Sequence, residues 1–311
     1  MILVKDIADG MHVRGEYLVN NLTQGVSNAG KKYLTIVLQD KTGTIDGKKW
    51  EIEDGDLEVF APRHVVYVEG EANFFKNTLQ LKILSGTEVP ASSVNLDNFV
   101  APAPVAKDVL VKKLDGYLAS LKDGELKTLV TAIIAKYRDR FLDWPAAVRN
   151  HHAFRSGVLY HSLSMADLAE QVAKLYPTLD RDMLISGCLL HDLGKCIELS
   201  GPVATEYTLE GKLLGHINIM ADIIREEATR LGISGETPDL LEHMILAHHG
   251  KPDFGSPVLP LTREAMALSM IDDFDAKMNM LDKALEGTKP GNWTERIFAF
   301  DNRSFYKPKR S

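Results

Sequence analysis

His191 and Asp192 stand side by side in this chain, and His161, His216, His248, His249 and Asp272 flank them at intervals that helices can bring together. Imidazole nitrogens and carboxylate oxygens in one set suit first-row divalent cations. Seven such groups exceed what one tetrahedral ion takes, so a two-metal site is expected, and two-metal sites belong mostly to phosphoester cleavage. Other hydrolytic chemistries leave no mark. The chain has no GxSxG nucleophile turn, no cysteine in a catalytic setting and no phosphate-cradling P-loop. Hydrolysis by a metal-activated water, without a covalent intermediate or ATP, is the expectation.

Helices must position these groups, and the apolar periodicity supplies them. His161 precedes Met165, Leu168 and Val172 on one stripe; Leu184 and Cys188 lead to His191 on another; His216 leads to Met220 and Ile223. Leu241 and Ile245 run to His248-His249, and Leu268, Asp272, Asp275 and Asn279 share a face further on. A buried His or Asp is costly unless something satisfies it. One inward His would read as a hydrogen-bonded core residue; several helices aiming His or Asp inward argue for a metal centre. Asp275, three residues after Asp272, is placed to orient a ligand or the substrate. His243 lies on a different helical face from His248-His249 and is expected as a helper. His152 and Arg155, just ahead of His161, offer groups to a leaving oxygen or a neighbouring phosphate. Thr237-Pro238 reads as a helix N-cap and first turn. Residues 200–208 read as a loop over the site.

The 311 residues divide by their grammar into two halves. Residues 1–90 read as strands: Tyr17-Leu18-Val19, Tyr33 to Leu38, Val65 to Val68 and Leu79 to Ile83, separated by turn chemistry at Asn28-Ala29-Gly30, Asp40 to Gly43 and Asp54-Gly55-Asp56. A small barrel or sandwich is expected there. Residues 91–106, with Ala101-Pro102-Ala103-Pro104, read as a semi-rigid linker. Residues 107–290 are helical throughout, and 291–311 form a basic C-terminal tail, read as a solvated extension ahead of the alternative of an RNA-touching arm. The net charge of −7 argues against nucleic-acid binding by bulk electrostatics but leaves a local groove open. Cys188 and Cys196 form no disulfide or CxxC pattern, no signal peptide or membrane span is evident, and a cytoplasmic protein without membrane contact is expected.

Gly30 to Trp50 resembles the first three strands of a nucleic-acid-binding OB-fold. The resemblance implies aromatics for base stacking, with Tyr33, Trp50, Phe74 and Phe75 as candidates. Lys31, Lys32, Lys48, Lys49 and Lys76 would follow the backbone. With ten Lys/Arg against thirteen Asp/Glu in residues 1–90, the grip on phosphate is expected to be modest. The His…His-Asp…Asp spacing resembles the HD superfamily of metal-dependent phosphohydrolases, which implies that His161, His191, Asp192 and Asp272 hold one ion. His216 and His248-His249 resemble the second site of binuclear members, with Asp192 bridging and Lys195 facing the phosphate. Both halves together, with Leu190-His191-Asp192-Leu193-Gly194-Lys195 and Ala247-His248-His249-Gly250-Lys251, resemble the bacterial YhaM-type 3′-to-5′ exoribonucleases. That resemblance implies an OB barrel followed by an HD helical bundle. Its implied activity is a Mn²⁺-favouring enzyme, with Fe, Co or Zn as alternatives, trimming single-stranded RNA from the 3′ end. Single-stranded DNA is an alternative substrate. The competing readings are an HD phosphohydrolase of nucleotides or cyclic dinucleotides, and an RNA-binding protein with a vestigial HD domain.

Overall fold

The structure, a computed structural model, describes residues 2–27, 29–76, 78–101, 103–147 and 154–310. By its contacts the chain forms two compact units. One comprises Met1–Pro104 with Gly201–Glu206, the other Val105–Ser200 with Tyr207–Ser311.

The first unit is built on five strands: β1 (His12–Val26), β2 (Lys32–Asp40), β3 (Gly43–Lys49), β4 (Val65–Phe75) and β5 (Thr78–Glu88), with a one-turn helix α1 (Asp56–Val59) between β3 and β4. They close into a barrel in the order β1-β2-β3-β5-β4, the five-stranded OB-fold arrangement. Alternation in the sequence drives closure: along β2, Leu34, Ile36 and Leu38 are fully buried while the residues between them are half-buried. β1 is long enough to serve two neighbours. His12–Leu18 pair with β4, Leu18–Val26 pair with β2, and an irregularity between Val19 and Asn21 accompanies the change of partner. At the β2–β3 turn, Asp40 is buried because it accepts from Val4 N and Thr42 N, both at 2.7 Å. Residues 91–106, expected as a spacer, are tied down as far as residue 100. They contain two 3-10 turns, and Phe99 is buried against Leu18 and Val65 while its carbonyl accepts from Gln39 Nε2 at 3.0 Å. Pro102 lies outside the described residues.

The second unit is helical: α2 (Lys107–Ser120), α3 (Glu125–Phe141), α4 (Gly157–Leu175), α5 (Arg181–Leu190), α6 (Lys195–Glu198), α7 (Leu209–Leu231), α8 (Glu236–Ala247) and α9 (Arg263–Glu286). Side-chain caps start three of them. Asp180 accepts from Asp182 N and Met183 N, Thr208 from Gly211 N, and Thr262 from Ala265 N. Thr237 is not a cap: Gly235, two residues earlier at φ 89°, precedes α8, and Thr237-Pro238 fall inside the first turn, where Pro needs no helical partner. The C-terminal segment is not a solvated extension. It folds back on itself as a hairpin through bridges Trp293↔Tyr306 and Ile297↔Arg303, with Phe300 buried. Among the described residues, no helix is long and apolar enough to cross a membrane.

Candidate metal centre

Helix ends and one break in a helix place the ligand side chains. α5 stops at Leu190, so His191 and Asp192 sit at its C-terminal turn, immediately before the short helix that carries Lys195. His216 follows Gly215, whose φ of 73° breaks α7 and turns the chain. His248 is the residue just past α8, His161 lies in the first turns of α4, and Asp272 lies within α9. The seven groups converge. His161 Nε2 is 3.1 Å from Asp272 Oδ1, and His191 Nε2 is 3.4 Å from Asp192 Oδ2 and 3.9 Å from Asp272 Oδ1. The two oxygens of Asp192 face different partners: Oδ2 faces His161 at 3.8 Å, His191 and Lys195, while Oδ1 faces His216 Nε2 at 3.4 Å. Two groups have ligand atoms within 4.8 Å of one another, His161–His191–Asp192 and His216–His248–His249.

These residues fit a divalent cation. His191 Nε2, Asp192 Oδ1, His216 Nε2 and His248 Nε2 are buried without a hydrogen-bond partner, an arrangement that costs free energy unless a cation accepts their lone pairs. The other ring nitrogen explains why those lone pairs point inward. In all five histidines Nδ1 meets a group that can only accept: Asp275 Oδ2 at 2.7 Å from His161, Cys188 O at 3.0 Å from His191, Glu198 Oε1 at 3.2 Å from His216, Ile245 O at 2.6 Å from His248 and Phe254 O at 2.8 Å from His249. Each Nδ1 therefore carries the proton and donates it, which leaves Nε2 as the atom that could meet a cation in every case.

Electrostatics agree with a cation site. Burial works against the Asp192 carboxylate, but Lys195 and His191 outweigh it and hold it well below the usual carboxylate range; His161 and His191 do the same for Asp272. Burial, with His191 and His249 alongside, pushes His248 down, so it is neutral, the form in which an imidazole can bind a cation. His161 goes the other way: burial lowers it, yet its bonds to Asp272 and Asp275 prevail and raise it to about 10. In the metal-free protein a proton thus occupies His161 Nε2, and a metal ion must displace it. Metal uptake near neutral pH is expected to release about one proton from this group and to tighten as pH rises. Calorimetry in buffers of different ionisation enthalpy measures that proton, and uptake without release would remove His161 from the ligand set. The metal-free fold shows the opposite trend. The folded value lies above an unfolded one of about 6.5, so this stabilisation is full below that and is lost as pH rises through about 10.

Other expected residues take varied places. Asp275 accepts from His161 and also from the Ser164 hydroxyl and Asn279 Nδ2. Lys195 Nζ lies 2.7 Å from Asp192 Oδ2. His243 is not among the residues lining the pocket around the centre; its Nε2 accepts Leu261 N–H at 2.9 Å. Arg155 Nε donates to Asp143 Oδ1 at 3.0 Å, and His152 lies outside the described residues. The loop expected over the site departs between Leu199 and Tyr207, which bridge; its residues 201–206 belong to the barrel unit and do not line the pocket. Glu198 was not singled out in the sequence. Its only signal is an acid set between Ile197 and Leu199, and it is buried, binding both Nδ1 and the backbone N–H of His216.

On the barrel, Tyr33 and Trp50 have ring centroids 4.8 Å apart, and Lys48 Nζ stands 5.0 Å from the Tyr33 ring. Trp50, Phe74 and Phe75 are exposed, as are Lys31 and Lys32. Lys49 is not on the surface. It is buried in an ion pair with Asp56 at 3.1 Å, with Nζ also donating to Glu51 O.

The chain is similar to several known proteins. The family described as HD domain matches residues 158–277, which run from α4 into α9. The 3′-5′ exoribonuclease YhaM of Geobacillus sp. (strain WCH70) is 47% identical over 292 residues, covering 94% of this chain and 90% of that protein. The 3′-5′ exoribonuclease YhaM of Bacillus subtilis (strain 168) is 44% identical over 300 residues, covering 96% of each. Among solved structures, the second OB-fold domain of replication protein A from Methanococcus maripaludis matches 30% of this chain and 96% of that one, at 14% identity and a TM-score of 0.22. With such identity to these relatives over nearly its whole length, the chain belongs to the YhaM family of 3′-5′ exoribonucleases.

Proposed function

We propose that this protein is a metal-dependent exonuclease that removes nucleotides one at a time from the 3′ end of single-stranded RNA in the cytoplasm. Two ions, Mn²⁺ by preference, would sit in the two ligand groups and share Asp192. The observation that carries this reading is the set of five imidazoles with Nδ1 committed to an acceptor, three of which, His161, His191 and His216, bring Nε2 within 3.9 Å of an Asp192 or Asp272 oxygen. When bound, divalent ions at such a site lower the pKa of water and offset charge on the phosphoryl oxygens.

The chain's own residues supply the rest. Lys195 is held against Asp192 on the pocket wall. Burial would lower its pKa, but Asp192 raises it, so a fixed cation is ready for the charge that develops on phosphate. Asp275 and Glu198 keep His161 and His216 from rotating away, so the ligand set is formed before substrate arrives. Tyr33, Trp50 and Phe74 present ring faces to unpaired bases, which suits a strand of no fixed sequence and tolerates DNA as well as RNA. Lys31, Lys32 and Lys48 accompany the backbone.

Single-stranded RNA labelled at its 5′ end and incubated with Mn²⁺ is expected to shorten one nucleotide at a time with release of nucleoside 5′-monophosphates. Excess chelator should stop the reaction. Internal cleavage, or hydrolysis confined to mononucleotides or cyclic dinucleotides, would overturn the proposal.

A further inference from the structure

The C-terminal hairpin reaches the metal pocket. That pocket, about 950 Å³, is bounded on one side by His161, Asp192, His248 and Asp272 and on another by Phe298, Asp301, Asn302 and Arg303. Its size lies in the upper part of the range of roughly 300–1,000 Å³ usual for small-molecule sites. The hairpin is a built structure. Trp293 and Tyr306 bring their rings to 5.4 Å, Phe300 packs on Phe305 at 4.9 Å, and Lys307 Nζ donates to Leu285 O at the end of α9. Asp301 and Asn302 take φ of 53° and 58°, a left-handed turn that these two residue types tolerate better than most.

That turn displays two side chains that the fold itself does not use fully. Phe298 is 87% exposed although its neighbour Phe300 is buried. Arg303 is anchored through Nε to Phe300 O at 2.9 Å, its Cζ stands 5.9 Å from the Phe305 ring centroid and Asp301 lies 3.6 Å from Nη2, yet the side chain is 63% exposed, so much of its guanidinium fork faces outward. Scattered exposed aromatics are ordinary on protein surfaces. This one lines the same cavity as the metal ligands, and Phe254, 65% exposed, lines it too. A phosphodiester lying at the metal ligands carries its nucleoside into that same cavity, and a base offers the flat apolar face that an exposed ring lacks.

We propose that the C-terminal hairpin forms a subsite for the terminal nucleotide of the RNA strand, with Phe298 stacking on its base and Arg303 holding a phosphate oxygen. The proposal rests on the exonuclease reading above and adds to it the wall that seats the 3′ end. Arg is suited to the second role because its planar fork matches the geometry of phosphate.

The test is a cycle on the full chain with Mn²⁺. Phe298→Ala is expected to lower kcat/KM on ordinary single-stranded RNA about ten- to a hundredfold, the scale of one base–aromatic stack. On RNA whose 3′-terminal residue is abasic, wild type should show a similar loss, and Phe298→Ala should add nothing to it. Phe298→Trp should restore activity on the ordinary end. Arg303→Gln should weaken both substrates alike. Equal rates for Phe298→Ala and wild type on ordinary RNA, or an equal loss on the abasic end, would overturn the stacking role. If wild type does not shorten RNA at all, the exonuclease reading fails by itself. The subsite is then judged by binding, where Phe298→Ala should weaken AMP and leave ribose 5-phosphate unchanged; equal weakening of both, or of neither, would overturn it.

Discussion

Asp192→Ala is expected to abolish RNA hydrolysis and to strip most bound metal from the protein. Asp192 has two oxygens that face different ligand sets, with Oδ2 toward His161 and His191 and Oδ1 toward His216. Removing it takes a charge from each set at once. It also leaves Lys195 in a low-exposure position without its counter-ion, so a cation remains where cations are meant to bind. A bound metal supplies several kcal/mol of charge stabilisation, and a loss of ~4 kcal/mol corresponds to about a thousandfold in rate. A drop in kcat/KM of that size or larger is expected, together with metal content well below wild type by elemental analysis. Far-UV circular dichroism should change little, because Asp192 lies past the end of α5 and supports no helix. Full metal retention in the variant would show that the two oxygens do not share the ions.

Gly194→Ala should do comparable damage without touching a ligand. A Cβ at residue 194 would lie 2.2 Å from His216 O, closer than real Cβ contacts come, and 3.2 Å from its Cα, which is tight. The turn that carries His191, Asp192 and Lys195 therefore rests directly on the backbone of His216, just after the break at Gly215. The added methyl must push His216 away from Asp192 Oδ1 and from Glu198. Overpacking of this kind costs about 1–3 kcal/mol, and a displaced ligand lowers metal affinity or activity by roughly 10–100-fold. Gly116→Ala is the control. It lies within α2, its Cβ would meet nothing within 4 Å, and it should leave activity intact with a slight gain in helix stability. If both variants behave alike, the close approach at residue 194 has no functional weight.

Much of this was legible in the sequence for a definite reason. The change from alternating to helical periodicity near residue 107 separates barrel from bundle, because each period buries one face and nothing else. The ligands show because His and Asp on apolar stripes contradict ordinary burial. What stayed hidden lacks a residue-type signature. Cys188, Ile245 and Phe254 hold histidines through their backbone carbonyls, and every residue has one. Lys49 reads as a surface charge until the fold brings Asp56 beside it. Thr237 reads as a cap until Gly235 moves the start of α8. The C-terminal hairpin closes through two isolated bridges and aromatic pairs rather than through alternation, so its basic composition dominated the reading.

The anchoring of the five histidines also bears on how this enzyme can change over evolutionary time. His191, His248 and His249 are fixed by main-chain carbonyls, which no codon change at the anchoring residue can delete. Their orientation is inherited with the fold. Only His161 and His216 depend on a carboxylate side chain, Asp275 and Glu198 respectively. Those two residues are the adjustable parts of an otherwise hard-wired centre, one beside each ligand group. Shortening, neutralising or replacing them retunes the basicity of a single imidazole while the other ligands keep their aim. A lineage that shifts from one metal to another has the fewest structural obstacles at exactly two codons, and selection for altered metal preference should leave its substitutions there first.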